Sequence, residues 1–316
     1  MGQLESLSGC FSSLEHLDLS WNNLPSAPSW IFQLPSLTFL NISNNRLNQL
    51  SMEQPRCFNL VMLSISYNQL TDLPSSIGFL TNLEMFNCSF NQLTHLPSSI
   101  QSLTNLTILN ISNNQLTHLP SSIQFLTNLK QLNISNNQLT HLPSSIQFLT
   151  NLKQLNISNN QLTHLPSSIQ FLTNLTILNT SNNQLTHLPS SIQSLTNLKQ
   201  LNISNNQLTH LPSSIRFLTN LRKLDIKGNK FDTPLQEPDL VDSFQPSNHL
   251  IQSGDARQIV AFADEWSRGR VRLNRFKVAL VGDGAAGKTS LRMHLFKSSS
   301  SSPNQSNQPS STRRTT

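Results

Sequence analysis

The chain has 316 residues, room for about two domains, with only 9 glycines, 11% charged residues and a formal net charge of +6. Scarce glycine excludes a collagen-like chain, and abundant leucine excludes a chain that is disordered throughout. No apolar run approaches the ~18 residues of a membrane-spanning helix, so we expect no membrane insertion. The three cysteines Cys10, Cys57 and Cys88 form no disulfide framework and no secretory leader is readable, which predicts a cytoplasmic protein.

A repeat of 23 residues runs through most of the chain. The pattern L-x-x-L-x-L-x-x-N-x-L starts at residue 14 and recurs at 37, 60, 83, 106, 129, 152, 175, 198 and 221. Within each unit, apolar residues such as Leu132 and Ile134 alternate with polar ones, which predicts a short strand with one buried face. We therefore predict an α/β solenoid of ten 23-residue repeats over residues 1–231, with a parallel sheet on its concave face.

This pattern resembles the leucine-rich repeat, and the L-P-x-x-I stretch at 142–146 resembles its intracellular class. One asparagine in each repeat, from Asn22 to Asn229, is predicted to bond backbone groups that the tight turn leaves unpaired. A phenylalanine column is predicted to pack behind the sheet, with weaker points where Ser102 and Ser194 interrupt it. The members of this column are Phe79, Phe125, Phe148, Phe171 and Phe217.

The predicted concave face differs between its two ends. Its first four units carry aromatic residues and methionine, whereas later units repeat asparagine, serine and glutamine. Exposed apolar clusters mark interaction sites, and aromatic residues and methionine are enriched in interfaces. The sequence therefore predicts a protein partner at the N-terminal end, although divergence of these units alone is the alternative. The candidate contact residues are Trp21, Phe39, Met62, Tyr67, Met85 and Phe90.

Two further features suggest ligands less strongly. One histidine recurs in six repeats, and histidine pairs can bind a transition metal or sense pH; we favour the reading that duplication copied a surface turn residue. Basic residues cluster at 268–277 without aromatic stacking partners, so we expect no nucleic-acid partner. The histidine column consists of His95, His118, His141, His164, His187 and His210.

The pattern changes after residue 231. Residues 232–254 are rich in proline and polar residues, which predicts a linker, and residues 255–269 have the apolar spacing of a connecting helix. Residues 276–281 form an apolar run typical of a buried strand, and residues 298–316 are a serine-, asparagine- and glutamine-rich tail that predicts disorder.

A phosphate-binding motif directly follows the predicted strand. The segment G-D-G-A-A-G-K-T matches G-x-x-x-x-G-K-[ST], and helical spacing continues after it. Backbone N–H groups of such a loop wrap phosphates, Lys288 would neutralise the β- and γ-phosphates, and Thr289 would ligate Mg²⁺. The candidate nucleotide-binding residues are Gly282, Asp283, Gly284, Ala285, Ala286, Gly287, Lys288, Thr289 and Ser290.

The repeats, the short helix and the strand-loop sequence R-x-K-V-x-L-V-G with A-G-K-T-S-L together resemble the Roco family. That resemblance implies that residues 270–297 begin a Ras-like Roc domain that binds GTP or GDP with Mg²⁺ and takes part in signalling. It also implies a COR dimerisation domain downstream and often a kinase.

The resemblance covers only the first strand, loop and helix of a Roc domain. No D-x-x-G and no N-K-x-D or T-K-x-D motif follows the loop, so we expect nucleotide binding, GTPase activity and COR dimerisation only where the domain is completed. Two alternatives stay open, namely a free-standing repeat scaffold with an inert phosphate loop and an ATPase of another P-loop class.

Overall fold

The computed structural model of the chain describes residues 11–231, 243–244 and 260–261. These residues form twelve short strands and eight 3₁₀ helices. The strands are His16–Asp18 (β1), Phe39–Asn41 (β2), Met62–Ser64 (β3), Met85–Asn87 (β4), Ile108–Asn110 (β5), Gln131–Asn133 (β6), Gln154–Asn156 (β7), Ile177–Asn179 (β8), Gln200–Asn202 (β9), Leu211–Pro212 (β10), Lys223–Asp225 (β11) and Ser243–Phe244 (β12).

Ten of these strands form one parallel sheet in chain order, β1 to β9 and then β11. Each residue pairs with its equivalent one repeat later, so that His16 lies opposite Phe39 and Phe39 lies opposite Met62. This arrangement confirms the predicted solenoid with its parallel ten-stranded sheet. Strands β10 and β12 form a separate antiparallel pair, so the predicted linker over 232–254 contains a short strand.

The 3₁₀ helices form the second layer, behind the sheet. Each follows a proline with extended backbone, such as Pro120 with φ −67° and ψ 150°, because proline fixes φ and needs no N–H partner at the start of a helix. These prolines therefore start the return segment of their repeats. The helices are Ser29–Gln33, Ser75–Phe79, Ser98–Ser102, Ser121–Phe125, Ser144–Phe148, Ser167–Phe171, Ser190–Ser194 and Ser213–Phe217.

The hydrophobic core lies between the two layers. A typical repeat contributes Leu129, Leu132, Ile134, Leu139 and Ile146, all fully or almost fully buried. Each repeat buries its apolar face only against its neighbours, as expected for a solenoid. The hydrophobic core therefore runs continuously along the repeats instead of forming one compact cluster.

The asparagine column supports this stacking with hydrogen bonds. Asn137 Nδ2 donates to the carbonyl oxygens of Ile111 at 3.0 Å, Ile134 at 3.1 Å and Ser135 at 3.2 Å. Its Oδ1 accepts from the backbone N–H of Leu116 at 3.0 Å. One buried side chain thus satisfies backbone groups in its own repeat and in the preceding one, which confirms the predicted role of the column.

The prediction that the phenylalanine column packs behind the sheet is wrong. Its five side chains are 43–57% exposed. In a 3₁₀ helix, residues three apart share a face, and Ile146 and Leu149 use that face to fill the core. Phe148 lies two residues after Ile146 and therefore faces solvent. The core leucines and isoleucines of the repeats that carry Ser102 and Ser194 remain buried, so the two serines open no gap in the core.

The remaining predictions concern residues that are mostly outside the described part. The chain divides into two units, Met1–Ser267 and Arg268–Thr316, and the whole second unit, with the predicted phosphate loop at 282–290, lies outside the described residues. Val260 and Ala261, in the predicted connecting helix, are helical, and Val260 packs against the hydrophobic core. Among the described residues, no helix has the length and hydropathy needed to cross a membrane.

Candidate protein-binding surface

The first residues of the N-terminal strands form a continuous apolar row on the exposed face of the sheet. Phe39 lies opposite Met62, and Met62 lies opposite Met85. Phe39 and Met62 are half-buried, and Met85 is exposed. His16 extends the row, because its ring stacks on Phe39 with centroids 5.7 Å apart. Ile108 continues the row on the next strand.

A second column lies three residues after the end of each strand. Trp21 is 81% exposed, Tyr67 49% and Phe90 41%. The rings of Tyr67 and Phe90 stack face to face, with centroids 4.0 Å apart and planes at 9°. Asn44 occupies the repeat between Trp21 and Tyr67, so Trp21 stands apart from this stack.

Five of the six predicted contact residues are thus brought together on three neighbouring repeats. We define these five residues as the aromatic–methionine patch: Phe39, Met62, Tyr67, Met85 and Phe90. Trp21 lies at the N-terminal end of the same face, two repeats from Tyr67. Sequence reasoning left out His16 and Ile108, although the 23-residue register places both in the first column of the patch.

The second column has left-handed backbone in all ten repeats. Its φ values lie between 52° and 68°, a region that asparagine and glycine tolerate and bulky side chains disfavour. Six repeats use asparagine there and the last uses Gly228, whereas three use the aromatic residues Trp21, Tyr67 and Phe90. The aromatic residues therefore stand where local stability favours asparagine.

The polar column between these two apolar columns is engaged in local hydrogen bonds. Asn87 Oδ1 accepts from the Ser89 hydroxyl at 2.8 Å and from the Ser89 backbone N–H at 3.2 Å. Asp18 accepts the equivalent bond from the Ser20 backbone N–H at 2.8 Å, and hydrogen bonding from Ser20 lowers the pKa of Asp18. Asp18 is therefore a fixed negative charge at the end of the face.

Charge changes sign along the residues that directly precede the strands. The N-terminal repeats carry Glu15 and Glu84 at this exposed position, beside the aromatic–methionine patch. Four of the later repeats carry a cation there, and all four side chains are exposed. The sheet face is thus apolar and acidic at one end and polar and basic at the other. The four cations are Lys130, Lys153, Lys199 and Arg222.

The histidine column forms local pairs. His118 Nδ1 lies 3.1 Å from the hydroxyl of Thr117, and the same contact recurs along the column at 3.0–3.1 Å. Within the described part of the chain, no group of three or more His, Cys, Asp or Glu side chains could hold a metal ion. The neighbouring threonine of the same repeat therefore contacts each ring.

Family models for leucine-rich repeats match the chain over most of its length. The model described as a leucine-rich repeat region matches residues 122–283. Models of the leucine rich repeat match residues 58–116 and 82–139, and also 13–34 and 36–58. No curated protein sequence matches the chain significantly.

Solved structures share the fold. A leucine-rich repeat protein of Leptospira interrogans is 37% identical with a TM-score of 0.68, over 72% of this chain and 57% of that one. The Arabidopsis receptor kinase HAESA, solved with the peptide hormone IDA and the co-receptor SERK1, is 34% identical with a TM-score of 0.62, over 69% and 39%. TLR13, solved with ssRNA13, is 27% identical with a TM-score of 0.62, over 71% and 34%.

The similarity thus spans 34–57% of the length of those proteins. One kind of repeating unit accounts for the 23-residue register, the ten-stranded parallel sheet and the asparagine column. One family model alone covers residues 122–283, about half of the 316 residues. The chain belongs to the leucine-rich repeat family.

Proposed function

We propose that this chain is a protein-interaction module whose aromatic–methionine patch binds a protein partner. The observation that carries the proposal is the exposed stack of Tyr67 on Phe90, held on left-handed backbone. Aromatic residues and methionine are enriched in interfaces, and a few aromatic anchors commonly carry most of the binding free energy. HAESA and TLR13 were solved with a peptide hormone and an RNA, which supports a ligand-holding role for a repeat array of this kind.

The charges around the patch indicate the chemistry of the partner. Glu15, Asp18 and Glu84 lie on the N-terminal repeats, and hydrogen bonding from Ser20 lowers the pKa of Asp18. A partner with apolar anchors flanked by lysine or arginine would match this end, since complementary charge speeds association and suppresses wrong partners. Lys130 and Lys153 lie beyond the patch, so a longer partner would place acidic residues there.

The test compares capture of binding proteins by the full chain and by the double variant Tyr67→Asn/Phe90→Asn. Asparagine is the residue that six other repeats use at this backbone position, so the variant should fold. We expect loss of the partner that the unchanged chain retains. Phe125→Ser is the matched control, because it removes an equally exposed aromatic side chain from the opposite layer. Equal capture by the double variant would refute the patch as the binding site.

We propose further that residues 282–290 bind the phosphates of a guanine nucleotide in a completed Roc domain, in a cytoplasmic signalling protein of the Roco type. The strand and the helix that the sequence predicts on either side of the motif support this proposal. Lys288 and Thr289 would hold the phosphates and Mg²⁺. The inert scaffold and the ATPase of another class remain the alternatives. The cytoplasmic location is supported by Cys57 and Cys88, which are free, buried thiols.

A further inference from the structure

The exposed phenylalanines form a second apolar surface that the proposed partner site does not use. We define the phenylalanine stripe as the last residue of seven successive 3₁₀ helices, which reads Phe, Ser, Phe, Phe, Phe, Ser, Phe. Five of these positions carry large exposed rings. Contiguous exposed apolar surface marks interaction sites. The stripe consists of Phe79, Ser102, Phe125, Phe148, Phe171, Ser194 and Phe217.

The order of residues in the stripe is the same in both directions. Phe148 is the centre, Phe125 and Phe171 flank it, and Ser102 and Ser194 follow at equal distances. In a dimer with a two-fold axis, the two copies contact each other through the same surface patch. Residue i of one copy then meets residue j of the other, and residue j of the first meets residue i of the second. Two antiparallel copies centred on Phe148 would place every phenylalanine against a phenylalanine. The palindromic order thus matches rings with rings across a two-fold axis, which fits a second copy of this chain.

The surroundings of the stripe are electrically neutral. The nine-residue segments 75–83, 98–106, 121–129, 144–152, 167–175, 190–198 and 213–221 contain one charged residue in total, Arg216. Its guanidinium lies 4.5 Å from the centroid of the Phe217 ring, at one end of the stripe. Two copies with a formal charge of +6 each would repel through a basic face, but here they meet almost without like charges.

We propose that the phenylalanine stripe is the contact surface of an antiparallel, two-fold symmetric dimer of this chain. Phe125, Phe148 and Phe171 form its unbroken centre. A phenylalanine buries about 150–250 Å², and roughly half of each ring is exposed, so five rings offer on the order of 500 Å² per copy. A standard interface buries about 800 Å² per partner. The dimer is therefore weak and forms at high micromolar chain concentration.

Sedimentation equilibrium of the full chain up to several hundred micromolar tests the association. We expect a reversible monomer–dimer equilibrium and at least a ten-fold higher dissociation constant for Phe148→Ser, which removes two facing rings. The chain already carries serine at two positions of the stripe, so this variant should fold. Tyr67→Asn, on the other face, is the matched control and should dimerise unchanged. A monomer at every concentration, or unchanged dimerisation of Phe148→Ser, would overturn the proposal.

Cysteine cross-linking tests the symmetry, in a Cys10→Ser background that leaves the buried Cys57 and Cys88 in place. Phe148→Cys should form a disulfide with its own copy, and a mixture of Phe125→Cys and Phe171→Cys should form the mixed pair. Phe125→Cys alone should form no such disulfide. In the antiparallel dimer, residue 125 of one copy lies about two repeats, roughly 10 Å, from residue 125 of the other copy, which exceeds the ~7 Å limit on the Cα separation in a disulfide. A 125–125 disulfide without the 125–171 pair would refute the antiparallel arrangement.

Discussion

Tyr67 and Phe90 stack with ring centroids 4.0 Å apart, and each has a φ of 53°. The stack supplies a rigid, exposed aromatic surface, while the left-handed backbone opposes large side chains at this position. Stacked aromatic pairs contribute about 0.5–1.5 kcal/mol, which is similar to the cost of left-handed backbone for one L-residue, about 1–2 kcal/mol. The stability of the fold therefore does little to explain why aromatic residues occupy these two positions, whereas binding of a partner explains it directly.

Tyr67→Asn should leave the free energy of unfolding within about 1 kcal/mol of the original chain, because relief of backbone strain offsets the lost stack. Tyr67→Ala should be less stable than Tyr67→Asn by roughly 1 kcal/mol, since alanine lacks the tolerance of asparagine for left-handed backbone. Urea unfolding followed by circular dichroism measures both. Equal stability of the two variants would contradict the strain argument.

Asn137→Ala should lower the free energy of unfolding by about 2 kcal/mol, because it leaves the buried N–H of Leu116 unpaired. The Ile111 carbonyl loses one of its two donors and keeps Asn114 Nδ2 at 3.1 Å. Asn128→Ala is the control. Asn128 is exposed and donates one bond, to the Thr104 carbonyl at 2.9 Å, so its loss should cost less than about 1 kcal/mol. Denaturant unfolding compares the two. Similar losses would show that the buried column has no special role.

The stability of the repeats should fall with rising pH above about 9. Burial raises the pKa of Cys57 from 9.0 to about 11, and burial also raises the pKa of Cys88. Above pH 9 the thiols of the unfolded chain lose their protons, whereas the buried thiols of the folded chain keep them. The contribution of the raised thiol pKa values to the free energy of unfolding is therefore complete below pH 9 and declines as the pH rises. We expect a loss of about 1 kcal/mol per thiol between pH 9 and 10.

Unfolding of the double variant Cys57→Ala/Cys88→Ala is the control for this pH dependence. Its free energy of unfolding should change less between pH 9 and 10, because the two raised thiol pKa values are absent. The original chain and the variant are compared by urea unfolding at each pH. An identical slope in both would assign the pH dependence to other groups.

The 316-residue chain should bind GDP weakly, because the sequence after the loop lacks D-x-x-G and N-K-x-D. A chain extended through a complete Roc domain should bind GDP tightly with Mg²⁺, and Lys288→Ala should weaken that binding strongly, since the lysine charge neutralises the phosphates. Equilibrium titration with fluorescent GDP measures both chains. Micromolar or tighter binding by the shorter chain would contradict this expectation, and preference for ATP would favour the other P-loop class.

The candidate site was predictable in part. Strict register placed Phe39, Met62 and Met85 in one row, because equivalent residues of stacked repeats must pair. The stack of Tyr67 on Phe90 and the left-handed backbone beneath it were not predictable. Ring orientation and φ depend on the turn geometry after the strand, and three aromatic residues replace the asparagine that would have signalled that turn.

The sequence by itself determined the repeat, the parallel sheet and the buried asparagine column, because a 23-residue period with alternating leucines allows one stacking register. Only the tertiary structure decided what the phenylalanine column does. Ile146 and Leu149 share the inward face of the 3₁₀ segment and fill the core, so Phe148 remains outside. Apolar character shows that a residue favours burial, but helix geometry selects which apolar residue is buried within the chain and which stays exposed for a partner.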